Sequence, residues 1–317
     1  MASDGKVISF INMKGGVGKT TLSMGIADYL AEQNKKTLFI DIDPQFNGTQ
    51  GLLDYYKREE TISIISEKEK ISKNEAMNNI ETYEYNYYTE KIKNSHKTIY
   101  RLFTPQVELN EEYSSPNNII TNLTDNLDIV CGDLNLVLAN KNSNYELMHR
   151  IKNFIEDEKI KEKYDYIIID CPPTLTIYTD SALCASDYYV IPNRIDRYSI
   201  TGIDSLQNSV KNLIKSNRLS LRCLGIVYTM VPTDVGKKQS RIQSSFESKK
   251  SVNELDIFSA KQHIDNNVQF GKTGGTLPTK YKNSREDIIA IVKELISRIN
   301  EKTSDWRGAS NGWIIYL

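Results

Sequence analysis

Several features that would place the chain in a secreted, membrane or metal-cluster class are missing from its sequence. The 317 residues include only four cysteines, and none of them lies in C-x-x-C spacing. Scattered cysteines are typical of buried thiols in a reducing compartment rather than of a disulfide framework or a metal site. No apolar run approaches the roughly 18 residues of a membrane span, and no signal peptide precedes the first apolar segment. We therefore expect a cytoplasmic protein.

The chain also lacks a charge excess of either sign. Its 40 Lys and Arg residues nearly balance 41 Asp and Glu residues, for a formal net charge of −1. Such a balance gives no global attraction to nucleic acid, so any DNA binding needs a local basic patch. The 39% hydrophobic and 26% charged residues suit a soluble globular protein, and the length suits a single α/β domain with insertions.

A glycine-rich run near the start is the most informative feature that is present. It reads KGGVGKTT from Lys14 to Thr21, after an apolar segment at 7–11 and before a helical pattern at 22–31. Strand, glycine loop and helix together form the context of a phosphate-binding loop, in which backbone N–H groups and the helix N-terminus face the phosphates. We expect the nucleotide to be bound by Lys14, Gly15, Gly16, Val17, Gly18, Lys19, Thr20 and Thr21.

Within this loop, two side chains have predicted chemical roles. Lys19 would reach the β- and γ-phosphates, and the Thr20 hydroxyl would hold Mg²⁺. The loop departs from the usual pattern because Met13 stands in place of the first glycine and because a second lysine, Lys14, enters it.

Short apolar runs alternate with helical patterns along most of the chain. Strands that are apolar on both faces and separated by helices indicate an α/β fold: a mostly parallel, twisted sheet with helices on both faces, as in P-loop NTPases. Lys14, Asp43 and Asp170 follow predicted strands, which places them at the edge of the sheet where ligands bind. The strand candidates are 7–11, 37–40, 127–131, 166–169, 188–191, 224–230 and 257–260, and the last long helix is 284–299.

Further blocks carry a resemblance to a known family. Besides the deviant loop, they are DIDPQ at 41–45, YIIIDCPP at 166–173 and YVIP at 189–192. Together they resemble the ParA/MinD group of ATPases, whose phosphate loop is a deviant Walker A motif, and are most similar to ParA, which segregates plasmids and chromosomes. The likeness covers roughly residues 5–54 and 98–300. It implies ATP and Mg²⁺ as cofactors, a homodimer on ATP, non-specific DNA binding, association with the nucleoid and a ParB-type adaptor protein bound at a centromere.

The resemblance also implies roles for acidic and basic residues of the site. Phosphoryl transfer needs neutralised charge, a metal and a positioned water. Asp170 is expected, together with Thr20, to hold the magnesium ion and its bound water. Asp41 is expected to share the metal contact. Asp43 is expected to orient the attacking water. Either Asp41 or Asp43 could instead cap its loop. Lys14 is expected to cross a dimer interface and contact the partner's nucleotide.

Base and DNA contacts are predicted less directly. Asn193 and Arg194 follow a strand end where a base would lie, but the family's Ile-Pro-Arg-Asn motif is not matched. The segment 262–265 stands near the place of that motif. His263 in this segment is either an ordinary surface residue or a residue that contacts the base. Since no helix-turn-helix segment precedes the first strand, DNA binding would use scattered cations and phosphate contacts. The alternative is that these cations form an ordinary solvated surface. The candidate DNA-binding residues are Lys237, Lys238, Arg241, Lys249, Lys250, Lys280, Lys282 and Arg285.

Two segments stand apart from the predicted domain, which spans 1–303. Residues 55–97 form an apparent insertion rich in Lys, Glu, Asn and Tyr. We interpret it as a partly helical surface segment with locally packed tyrosines; the alternative is the tyrosine cluster of a bacterial tyrosine kinase. In the tail 304–317, Gly308 and Gly312 weaken a helix and Arg307 is the only cation, so membrane binding is not expected.

The sequence therefore predicts a ParA-like ATPase that partitions a plasmid or another replicon. Two alternatives remain open: a MinD-like positioning ATPase on a membrane, and a regulatory ATP-binding switch.

Overall fold

The computed structural model describes residues 4–104, 119–139, 145–196, 199–233, 236–271 and 275–311. Within them, seven strands form one sheet in the order β3-β4-β2-β5-β1-β6-β7. All neighbouring strands are parallel except β3 and β4. The strands are β1 (Lys6–Phe10), β2 (Thr37–Asp41), β3 (Ile120–Asn122), β4 (Leu127–Val130), β5 (Tyr166–Asp170), β6 (Tyr188–Asn193) and β7 (Arg222–Tyr228).

Helices cover the sheet on both faces. The α-helices are α1 (Lys19–Glu32), α2 (Asn47–Tyr56), α3 (Arg58–Glu69), α4 (Lys73–Asn78), α5 (Tyr100–Phe103), α6 (Leu136–Ala139), α7 (Arg150–Asp157), α8 (Ile160–Lys163), α9 (Ile177–Ala185), α10 (Ser199–Asn217), α11 (Lys237–Glu247), α12 (Lys250–Asn253), α13 (Asn266–Gln269) and α14 (Lys282–Asn311). Three 3₁₀ turns (Ile80–Thr82, Tyr145–His149, Pro278–Lys280) and a π-helix (Tyr88–Lys93) add to them.

Alternation along the strands divides the apolar core into two layers. Val7 and Ile167 belong to the layer beneath α7, α9 and α10, whereas Ile8 and Ile168 belong to the layer beneath α1 and α14. Because successive side chains of a strand point to opposite faces, a strand buried on both sides is apolar along most of its length. This requirement explains why the parallel strands stand out in the sequence.

The predicted fold class is confirmed, and six of the seven predicted strands form within two residues of their predicted bounds. The strand predicted at 257–260 is wrong, because Ile257 makes only an isolated bridge to Ile226. β7 is irregular at this place: Gly225 has φ +126°, and a side chain there would collide with the carbonyl oxygen of Asp256. The antiparallel β3, three residues long, was not predicted.

The segment 55–97 is largely helical, as expected, and has a small apolar cluster of its own around Ile62, Ile65 and Ala76. Its later part is less separate than predicted, because Tyr87 and Tyr88 pack against the main core. At the other end of the chain, α14 continues through Gly308 to Asn311, past the predicted helix end and domain boundary. Residues 312–317 lie outside the described residues. No helix in the described part combines the length and apolar character needed to cross a membrane.

Candidate functional site

The loop between β1 and α1 has the curvature of a phosphate cradle. Gly16 and Gly18 adopt φ +67° and +77°, a left-handed conformation that costs glycine little and other residues more. The loop is fixed at both ends: the Lys14 N–H donates to Asn12 Oδ1 over 3.0 Å, and the Thr229 hydroxyl donates to the carbonyl oxygen of Val17. The backbone is therefore already bent before any ligand enters.

Lys19 brings a buried cation to this loop. Its side chain lies at the start of α1, the residue is 6% exposed, and Nζ is 3.3 Å from the carbonyl oxygen of Lys14. Burial lowers the pKa of Lys19, while the nearby carboxylates of Asp170 and Asp43 oppose that shift. An incompletely solvated ammonium beneath a glycine loop favours an anionic ligand.

Thr20 and Asp170 meet although they are 150 residues apart in the chain. The Thr20 hydroxyl donates to Asp170 Oδ2 over 2.7 Å, and the Ser23 hydroxyl donates to Oδ1 over 3.1 Å. Burial raises the pKa of Asp170 to about 7, although the bond from Thr20 and the charge of Lys19 oppose the shift. Ser23 is not among the predicted site residues, although its position one helical turn after Thr20 places it beside Asp170.

Asp41 and Asp43 lie where β2 ends, but their surroundings differ. Asp41 is fully buried: Oδ2 accepts from the Thr49 N–H (2.7 Å) and hydroxyl (2.9 Å), and Oδ1 accepts from the Asp43 N–H at 3.2 Å. Burial, then the charge of Asp170, raises the pKa of Asp41 well above its usual value. Both oxygens thus hold the loop and the start of α2, and the metal contact of Asp41 stays a prediction. Asp43 is 8% exposed, and its Oδ1 accepts from the Gln45 N–H at 2.9 Å.

Lys14, the second lysine of the loop, pairs within its own chain. Its Nζ donates to Asp196 Oδ2, and both side chains are about one third exposed. The partner lies just after β6, at the same edge of the sheet as the loop. Lys14 therefore points across the mouth of the cradle rather than into it.

The predicted base region contains two buried polar atoms for which the described residues provide no partner, Asn193 Nδ2 and Gln262 Oε1. Both residues flank the end of β7, because Thr229 N–H donates to the Asn193 carbonyl and Gln262 N–H donates to the Tyr228 carbonyl. A buried polar atom of this kind needs a partner such as an ordered water, an ion or a polar ligand. Arg194 is exposed. His263 is exposed, and its Nδ1 lies within hydrogen-bonding distance of Asp287 Oδ1, at 3.0 Å.

Similarity to known proteins identifies the family of this chain. A family model described as an AAA domain matches residues 5–223. The sporulation initiation inhibitor protein Soj of Bacillus subtilis is 30% identical over 227 residues, which are 72% of this chain and 73% of Soj. The chain belongs to the ParA/MinD family of P-loop ATPases.

Two further proteins match almost end to end. The chromosome partitioning protein ParA of Myxococcus xanthus is 27% identical over 307 residues, or 95% of this chain and 92% of that protein. A solved ATP complex of Cyanothece McdA superposes with a TM-score of 0.68 at 19% identity, covering 93% and 97% of the two chains. The second likeness, at such low identity, shows the shared fold alone.

The oxygen atoms at this ParA-family site suit a magnesium ion that is bound mainly by substrate phosphates and water molecules. In the described part of the chain, no three His, Cys, Asp or Glu side chains are grouped as an all-protein metal site. Thr20 and Asp170 instead offer a hydroxyl and carboxylate oxygens. Mg²⁺ prefers oxygen ligands and usually keeps several waters beside one or two carboxylates and substrate phosphates.

The predicted DNA-binding cations divide into two groups. Lys237, Arg241, Lys249 and Lys250 are exposed on α11 and around the start of α12; Lys238 shares α11, and Lys282 is exposed at the start of α14. Lys280 and Arg285 differ, because their charges are neutralised. Lys280 Nζ is 2.9 Å from both Asp28 and Glu32, and Arg285 is 2.6 Å from Glu32. These two residues pair with acidic side chains of α1, Lys280 from the Pro278–Lys280 turn and Arg285 from the first turn of α14.

Proposed function

We propose that the chain binds and hydrolyses ATP with Mg²⁺, dimerises on ATP, and uses the dimer to bind DNA during partition of a replicon. The observation that carries the proposal is the cluster of Lys19, Thr20 and Asp170 under a pre-bent glycine loop, with Lys14 at its mouth. Family membership supports ATP as the nucleotide.

Each group then has a definite task. Lys19 and the loop N–H groups hold the β- and γ-phosphates, while Thr20 and Asp170 hold the metal shell. The bound Mg²⁺ would neutralise charge on the phosphate oxygens. Asp43, fixed near the end of β2, orients the attacking water. The two orphaned atoms of Asn193 and Gln262, one a donor and one an acceptor, suit the edge of an adenine base.

Lys14→Ala is expected to keep ATP binding but to lose the ATP-dependent dimer. In the single chain Lys14 is held by Asp196, and in the dimer it would exchange this partner for the neighbouring protomer's nucleotide. Because Lys19 remains, ATP affinity by calorimetry should change by no more than about threefold, roughly 0.7 kcal/mol. Light scattering with ATP and Mg²⁺ measures the dimer.

Lys35→Ala, an exposed lysine just after α1, is the matched control and should dimerise like the unchanged chain. A Lys14→Ala dimer of unchanged affinity would remove Lys14 from the interface.

The exposed cations around α11 support the proposed DNA contact. α11 packs on the edge strand β7, where the Tyr228 hydroxyl donates to Glu247 Oε1 at 2.8 Å. Lys237 and Arg241 are exposed on this helix, four residues apart and so on one face of it. Phosphate contacts alone give salt-sensitive binding with little sequence preference. One protomer offers few such contacts, and pairing two protomers doubles them. Dimerisation would therefore couple ATP to DNA binding.

Changing Lys237, Lys238 and Arg241 together to Glu should weaken binding to all DNA sequences alike and leave ATP binding intact. The slope of log affinity against log salt should fall by about 0.9 for each phosphate that the variant no longer neutralises. Fluorescence anisotropy of labelled duplexes, with ATP or ADP and at several salt concentrations, measures both effects.

The control changes three exposed lysines of the inserted segment, Lys70, Lys73 and Lys97, to Glu, which alters the net charge equally. Equal weakening in both triple variants, or DNA affinity that ignores ATP, would rule out the α11 patch. Absence of DNA binding would favour the membrane or regulatory alternatives. A DNA-binding adaptor encoded beside this chain would support partition.

A further inference from the structure

An aromatic contact joins the inserted segment to the loop that carries Asp43. The Tyr88 ring stacks on the Phe46 ring, with centroids 5.0 Å apart and planes inclined by 16°. Phe46 is the third residue after Asp43, and its N–H donates to the Asp43 carbonyl oxygen at 2.8 Å. We refer to residues 41–46 as the Asp43 loop.

The loop conformation needs such support. Phe46 has φ +39°, a left-handed conformation that a bulky residue adopts only when its surroundings hold it there. Gly132 allows the close approach on the other side, because a Cβ at Gly132 would lie 2.6 Å from the Phe46 Cβ. Phe46 is thus held between the Gly132 backbone and the Tyr88 ring.

A chain of hydrogen bonds leads from Tyr88 back to Asp43. The Tyr88 hydroxyl donates to the Gly132 carbonyl oxygen at 2.9 Å, and the Gly132 N–H donates to the Thr49 hydroxyl oxygen at 2.8 Å. Thr49 donates to Asp41 Oδ2, and Asp41 Oδ1 accepts from the Asp43 N–H. Both ends of the Asp43 loop are therefore tied to one tyrosine of the insertion.

The insertion fixes Tyr88 in turn. The Tyr87 N–H donates to the Thr61 hydroxyl oxygen on α3 at 3.2 Å, and Asn86 and Thr89 exchange hydrogen bonds across the turn. Tyr88 begins the π-helix Tyr88–Lys93, whose Ile92 is buried in the main core. Short π-helical turns are often found at functional sites.

We infer that Tyr88 is a positioning residue for Asp43, so that the inserted segment 55–97 controls the rate of hydrolysis at the site. The inference rests on the proposed role of Asp43 in orienting water. Among the described residues, the hydrogen bond and the ring contact of the Tyr88 side chain go to Gly132 and Phe46. Neither contact involves the phosphate loop or the cluster of Lys19, Thr20 and Asp170. Its influence should therefore act on the hydrolytic step and spare ATP binding.

Single-turnover hydrolysis and calorimetric ATP affinity, measured on the full chain, test the inference. Tyr88→Ala removes the stack and the hydroxyl, and it should lower the hydrolysis rate about thirtyfold, within the roughly hundredfold that a 1 Å misplacement costs. Tyr88→Phe keeps the stacked ring and removes only the hydroxyl group, so the hydrolysis rate should fall only about threefold. In free energy this loss is smaller than the average contribution of one hydrogen bond. ATP affinity should stay within about twofold in both variants.

The matched control is Tyr85→Ala, which removes another tyrosine of the same segment, one that lies beneath Lys68 rather than against Phe46. It should hydrolyse ATP at the normal rate. Equal loss in Tyr85→Ala and Tyr88→Ala, or a fall in ATP affinity and melting temperature that matches the fall in rate, would indicate a general structural role and overturn the inference.

Combination with Asp43→Ala separates the inference from the function it rests on. Adding Tyr88→Ala to Asp43→Ala should leave the residual rate unchanged, because both act through one group. If Asp43→Ala hydrolyses ATP normally, the proposed role of Asp43 fails. If Asp43→Ala stalls while Tyr88→Ala is normal, or if the two losses multiply, the inference about Tyr88 alone is wrong.

Discussion

Replacing Lys19 with alanine is expected to weaken ATP binding by about two to four orders of magnitude. Lys19 lies 6% exposed beneath the glycine loop, where a bound phosphate would pair with it away from bulk water. Removing one member of a buried charge pair typically costs about 3–5 kcal/mol, and each 1.4 kcal/mol is about tenfold in affinity. Isothermal titration calorimetry with ATP and Mg²⁺ measures the change directly.

The fold of this variant should survive. Lys19 has a lowered pKa because it is buried, so its charge costs solvation in the absence of ligand, and alanine is a strong helix former at the start of α1. A melting temperature near that of the unchanged chain, together with lost ATP binding, is the expected pair of results. ATP affinity like that of the unchanged chain would place the nucleotide elsewhere.

The sheet and the meeting of the glycine loop with Asp170 were predictable because their signals are local. Each central strand is buried on both faces, so it appears as a nearly continuous apolar run, and the residue that ends it projects from the carboxyl edge. Asp170 ends β5 and Lys19 begins α1, so their meeting followed from the parallel topology.

Contacts between distant segments could not be predicted in the same way. Lys280 looked like a free cation, and only the packing of the segment before α14 against α1 shows that Asp28 neutralises it. For Asp41, only the fold shows that the Thr49 N–H and hydroxyl both donate to one of its carboxylate oxygens. No periodicity in the sequence indicates that Tyr88 lies on Phe46, because the two are brought together by the fold of the insertion.

Asp43→Ala is expected to separate ATP binding from ATP hydrolysis. Asp43 lies at the carboxyl edge near the charge of Lys19, but its Oδ1 is fixed by the Gln45 N–H rather than by the phosphate loop. Loss of a group that orients water should lower the hydrolysis rate by about 10²–10⁴-fold and leave ATP affinity nearly unchanged. Phosphate release and calorimetry measure the two quantities, with Asp125→Ala, an exposed carboxylate in the turn before β4, as the control. Loss of ATP binding in Asp43→Ala would reassign Asp43 to a binding or structural role.

The mass of the Asp43→Ala chain in solution tests the central claim most directly. If ATP assembles the dimer and hydrolysis releases it, a chain that binds ATP without hydrolysing it should accumulate as the dimer. Light scattering after size-exclusion chromatography should give twice the single-chain mass with ATP and Mg²⁺, and the single-chain mass with ADP and Mg²⁺. The same mass with both nucleotides would contradict an ATP-driven dimerisation switch.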